Sequence, residues 1–147
     1  MKKLVFGIGL GSLFLSPIVV STVASAQSSS MAHNDASFAL KVETPAAKKG
    51  EHAVAHLKIT PGVGFHMNKE YPTSLALSAP AGVTLEKTKL TAKDAAKFEE
   101  REAQFDVAYT AAKPGKQIVT GELKFAVCSA NSCDPKKSPV SFEIDVK

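Results

Sequence analysis

The sequence predicts an all-β sandwich. Three observations carry this. Apolar and polar residues alternate along most of the chain, Pro or Gly falls at the breaks, and helix-favouring composition is confined to one stretch near 91–104. With 147 residues, 44% hydrophobic and 22% charged, the chain fits one domain with a leader and is too short for two ordinary domains.

Residues 1–26 open with Lys2 and Lys3, continue as an apolar run from Leu4 to Leu15, and end in Ala24-Ser25-Ala26. This is the order of a secretory signal peptide, with cleavage expected after Ala26. No Cys follows the small residues, so a lipid anchor is not expected. No later apolar run is long enough to cross a membrane. The mature protein is therefore expected in the periplasm or outside the cell, off the membrane. Residues 27–35 are polar and aperiodic and read as a flexible leader, which puts the folded domain at 36–147.

Within the domain, Phe38, Leu40 and Val42 alternate up to Pro45 and a Lys48-Lys49-Gly50 turn. Ala53, Ala55, Leu57 and Ile59 share a face up to Pro61-Gly62, and Leu75 and Leu77 alternate up to Pro80-Ala81-Gly82. Residues 83–90 read as one short strand. Phe105, Val107 and Tyr109 alternate up to Lys113-Pro114-Gly115; Val119, Leu123, Phe125 and Val127 follow; Val140, Phe142, Ile144 and Val146 close the chain. About seven strands result. Between them, Thr91-Ala92-Lys93-Asp94 has the form of a capping box and Ala95 to Glu100 favours helix, which predicts one or two turns.

Charge excludes one class of function. The formal net charge is +4, but Lys2 and Lys3 are expected to leave with the signal peptide. The remaining lysines are scattered, Arg101 is the one arginine, and aromatics are 7%. Neither a basic stripe nor a stacking platform for nucleic acid is present. Hydrolase chemistry has no support either, because no Gly-x-Ser-x-Gly occurs.

Cys128 and Cys133 flank Ser129-Ala130-Asn131-Ser132 at the end of a strong strand. Small, turn-prone residues there predict a hairpin whose cysteines lie within bridging distance, with Asn131 able to take left-handed backbone. Export lets such a bridge persist. Three roles stand open: a redox-active pair, a local staple, or a soft-metal site. A loop of about 6 residues contributes only roughly 2 kcal/mol as a staple, whereas a loop-end bridge is easily reached by a partner thiolate. Lys136 and Lys137 favour a thiolate nearby and Asp134 opposes it.

The run from Phe125 to Val146 resembles the end of the N-terminal periplasmic domain of the DsbD thiol:disulfide interchange family: strand, Cys, a short loop, Cys, one residue, Pro, final strand. Gly62-Val63-Gly64-Phe65-His66-Met67-Asn68 is similar to that family's glycine-aromatic segment, and Phe98 to Phe105 to its cap segment. Asp134 and Lys136 depart from the pattern, standing where a Tyr or Leu and a second Pro are usual. The resemblance implies an immunoglobulin-like sandwich in which Cys128 and Cys133 exchange electrons and Phe98 caps them. Its partners would be thioredoxin-fold periplasmic proteins or a membrane thiol reductase. As a stand-alone monomeric domain without cofactor, it would draw on a separate reductant.

Other residues compete for attention. His66 and Met67, with Met31 and His33, are candidate copper ligands, since soft and imidazole donors suit Cu(I). His52 and His56 sit in an alternating run and read as a solvated strand face. Phe98 reads as a core anchor or a mobile cap, and Glu99 to Glu102 as a solvated charge run. A non-enzymatic binding or assembly sandwich, with the bridge as a staple, is the alternative to exchange.

Overall fold

The computed structural model describes residues 29–147; the expected signal peptide lies outside them. The described residues form eleven strands: β1 (Ser29–Asp35), β2 (Phe38–Thr44), β3 (His52–Pro61), β4 (His66–Met67), β5 (Ser74–Ser78), β6 (Val83–Leu85), β7 (Lys89–Thr91), β8 (Lys97–Glu99), β9 (Glu102–Ala111), β10 (Gly115–Cys128) and β11 (Cys133–Val146). All strand pairings are antiparallel and they make two sheets. One runs β1-β2-β3-β9-β6 with β8 also on β9; the other runs β11-β10-β5-β7 with β4 also on β10. The chain is an all-β sandwich of two antiparallel sheets.

Alternation builds the core. Phe38, Leu40 and Val42 on β2, Leu57 and Ile59 on β3, and Phe105, Val107 and Tyr109 on β9 turn inward from the first sheet. Val119, Leu123, Phe125 and Val127 on β10 and Val140, Phe142, Ile144 and Val146 on β11 answer from the second. Phe38 and Phe125 meet edge to face across the layers, with centroids 4.8 Å apart. Gly121 is required on β10: a Cβ there would lie 2.2 Å from the Ala76 carbonyl oxygen of β5.

Three expectations change. The leader predicted over 27–35 is, from Ser29 onward, strand β1, in register with β2 from Ser29↔Thr44 to Asp35↔Phe38. It is an edge strand held by backbone pairing, which leaves no apolar period to read. Its turn is closed by Asp35, whose carboxylate accepts from the Ser37 N–H (2.9 Å) and hydroxyl (2.8 Å). Second, the single strand read over 83–90 is two, β6 in one sheet and β7 in the other. Third, the excursion near 91–104 contains a single 3-10 turn, Ala92–Asp94, followed by β8 and the start of β9. The capping box is present: the Asp94 carboxylate accepts from the Thr91 N–H and hydroxyl, both at 2.9 Å. Among the described residues no helix is long and apolar enough to cross a membrane.

Candidate functional site

Strands β10 and β11 form a long hairpin, in register from Gly115↔Val146 to Cys128↔Cys133. The two cysteines end opposite each other, Cα atoms 3.9 Å apart, and are disulfide-bonded. The loop is tied by Ser129: its N–H donates to the Ser132 carbonyl (2.8 Å), and its Oγ accepts from the N–H groups of Asn131 (3.3 Å) and Ser132 (3.2 Å). No non-glycine residue among those described has positive φ, so Asn131 does not use the left-handed backbone it is able to take.

The parity of the strand decides where the sulfurs point. Leu123, Phe125 and Val127 face the core, so Cys128 faces outward. It is nonetheless only 5% exposed, with His66 of β4 paired beside it. Cys133, on the edge strand, is exposed. One cysteine of the bridge is buried and the other exposed.

Strand β4 is placed by the turn before it. Gly64, at φ +81°, reverses the chain after Gly62, and a Cβ there would strain the turn. Residues His66 and Met67 then pair with Cys128 and Val127 of β10. Being adjacent on a strand, they point to opposite faces. Met67 enters the core at 1% exposure, while His66 stays half-buried beside Cys128. His66 and Met67, the candidate copper ligands, thus lie on opposite faces of β4, and no group of three or more His, Cys, Asp or Glu among the described residues is arranged to hold a metal. His33 lies on β1, across the fold, and is exposed; the side chain of Met31 lies outside the described residues.

The turn between β8 and β9 meets this end of the molecule. The Met67 N–H donates to the Glu100 carbonyl (2.8 Å), the Asn68 N–H to Ala126 (2.9 Å), and the Arg101 guanidinium to the Phe65 carbonyl (3.2 Å). Asn68 Oδ1 accepts from the Glu70 (2.9 Å) and Tyr71 (3.2 Å) N–H groups, which closes a turn directly after β4. The result is an open recess of about 420 Å³, lined by His66, Lys69, Glu70 and Glu100 around Cys128 and Cys133.

Sequence reading singled out the two cysteines and the structure joins them. Phe98, the candidate cap, is half-buried against the edge of the core on β8, opposite Ala103. From its hairpin it is Glu100, read earlier as part of a solvated run, that reaches the recess. Lys136, expected to favour a thiolate, is opposite the core-facing Phe125. Its ammonium is engaged by Asp134 (2.6 Å) and Asp35 (3.7 Å), which hold its pKa above the ordinary lysine range, Asp134 foremost. Lys137 pairs with Glu122 at 3.1 Å. Neither lysine lines the recess. His52 and His56 are exposed, as expected, and meet Glu86 and Asp106, each at 2.8 Å. Sequence reading did not connect His66 to the cysteines, because the β4–β10 pairing that joins them spans some sixty residues and leaves no local signal.

No protein-family model matches the chain, and no curated protein matches it. Among solved structures, the chain is similar to the GAE domain of GGA2p from Saccharomyces cerevisiae, at TM-score 0.40 and 9% identity over 78% of this chain and 97% of that one. It is also similar to AggA, the major subunit of aggregative adherence fimbriae type I from Escherichia coli, at TM-score 0.37 and 10% identity, again over 78% and 97%. Likeness at this level says nothing about the recess or its chemistry.

Proposed function

We propose that this chain is an exported thiol–disulfide exchange module that passes electrons to or from a thioredoxin-fold partner through Cys128 and Cys133. The observation that carries the reading is the asymmetry of the bridge: an exposed residue at Cys133 and a buried one at Cys128, at 5% exposure, in a recess at one end of the sandwich. The resemblance of Phe125 to Val146 to the DsbD N-terminal domain, and the signal-peptide pattern of 1–26, support the same reading.

In this mechanism a partner thiolate attacks Cys133 Sγ. The S–S bond breaks, a mixed disulfide forms at Cys133, and Cys128 leaves as a thiolate that takes up a proton. A second partner thiolate then attacks the partner sulfur of the mixed disulfide and releases Cys133. Two electrons reach this chain and the partner's dithiol becomes a disulfide; the reverse sequence runs electrons outward. Attack in line with the S–S bond comes from the side of β11 away from β10, and β11 is an edge strand there.

A trapping experiment tests the reading. Cys128→Ser, which keeps the reachable thiol and removes the resolving one, is expected to accumulate a mixed disulfide with an oxidised thioredoxin-fold protein. Cys133→Ser is expected to accumulate far less. Absence of adducts from both variants would overturn the proposal and leave a binding or assembly sandwich with a local staple.

A further inference from the structure

Among the recess side chains, one can both give and take a proton near neutral pH. Carboxyl groups have ordinarily lost theirs there and ammonium groups hold theirs, whereas imidazole does both. His66 is that group. It is the register partner of Cys128 on the strand next to β10, and both line the same recess. Directly opposed side chains on neighbouring antiparallel strands have Cβ atoms about 5 Å apart, within reach of an imidazole and a sulfur. Cys133, on the far side of Cys128, is left to the incoming thiolate. The charged groups facing this corner are Lys69 and Glu70 from the loop after β4 and Glu100 from the β8–β9 turn, with Arg101 turned to the Phe65 carbonyl.

We propose that His66 is the proton donor and acceptor for the Cys128 sulfur during exchange. The inference rests on the exchange reading for its biological setting. When a thiolate attacks Cys133 Sγ, the electron pair of the broken S–S bond goes to Cys128 Sγ, and the imidazolium of His66 hands its proton to that sulfur. The products are a Cys128 thiol and a neutral imidazole. In the reverse direction the neutral imidazole takes the Cys128 proton, and the thiolate formed attacks the mixed disulfide. An imidazolium beside a leaving sulfur lowers that thiol's pKa, and a better leaving group departs faster.

The test uses a small thiol, dithiothreitol, on the oxidised protein, so that its outcome is independent of any partner protein. The rate of bridge opening is measured from pH 5 to 9 and expressed per dithiothreitol thiolate. The wild type is expected to speed up as pH falls through the histidine range, and His66→Gln to show a flat profile about tenfold slower at the acid end. The two should converge at the alkaline end. Superimposable profiles would overturn the proposal. A second measurement covers a misfolded variant: in wild-type protein, the His66 ring protons are titrated by NMR in the oxidised and reduced states. A midpoint that differs between the two states is expected, and identical midpoints would refute the proton role. If His66 passes and no thioredoxin-fold adduct forms, the exchange reading fails alone; if adducts form and the profiles coincide, the His66 role fails alone.

Discussion

Opening the bridge should leave the domain folded. The closed loop is short, because the cysteines are five positions apart. In the chain-entropy model a loop of about six residues contributes roughly 2 kcal/mol, through the unfolded state. Against this stand the buried side chains of the same hairpin: Val119, Leu123, Phe125, Val127, Val140, Phe142, Ile144 and Val146 are all at 3% exposure or less. Each fully buried side chain of this size is worth about 1.5–3 kcal/mol, so packing holds β10 to β11 many times over. The assay is urea unfolding of oxidised and phosphine-reduced protein, followed by far-UV circular dichroism because the chain has no Trp. Reduction is expected to lower the unfolding free energy by about 2 kcal/mol with native strand content retained. A reduced protein that is unfolded without urea, or a loss beyond about 4 kcal/mol, would refute the reasoning and make the bridge a structural necessity.

Other outcomes follow from single side chains. Tyr109 is fully buried, burial pushes its phenol pKa up, and its hydroxyl is left without a hydrogen-bond partner. Tyr109→Phe should therefore stabilise by about 1 kcal/mol in the same urea assay, and a loss of that size would contradict the account. The Asp94 carboxyl is held at about 2 by the Lys87 ammonium first and then by the Thr91 N–H and hydroxyl. A depressed carboxyl pKa contributes stability above the ordinary carboxylate range and loses it as pH falls through the folded value. The Tm advantage of wild type over Asp94→Asn should thus be present at neutral pH and fade between about pH 4 and pH 2; a constant difference would refute the assignment. Phe98 anchors the hairpin that brings Glu100 to the recess. Phe98→Ala should speed the reaction of the bridge with glutathione, and equal rates would remove any shielding role.

Much of the fold was legible because burial on one sheet face writes itself as alternation. Ala103 to Ala111 of β9 is buried at every second position, β2 and β11 from Ser138 onward follow the same rule, and β10 departs from it at its end, where Phe125 to Cys128 are all buried. Legibility failed where backbone pairing, rather than burial, makes the strand. Polar β1, two-residue β4 and three-residue β8 have no period to detect. It also failed at residues 83–90, where the chain changes sheet between β6 and β7 and an apolar count does not register the crossing. The cysteine pair was visible because its hairpin is local. Its neighbours were not: His66 and Glu70 come from one distant segment and Glu100 from another, and they meet through β4–β10 pairing and the Met67–Glu100 backbone bond. Lys136 looked close in sequence but lies on the other face, because a one-residue step along a strand reverses the side.

The reduction potential of the Cys128–Cys133 couple tests the central claim most directly. It is obtained by equilibrating the protein against defined thiol buffers, alkylating the free thiols and reading the fractions by mass. Exchange proteins lie roughly between −120 and −270 mV, and the account predicts a value in that range. A value well below about −300 mV, typical of structural bridges in exported proteins, would contradict it.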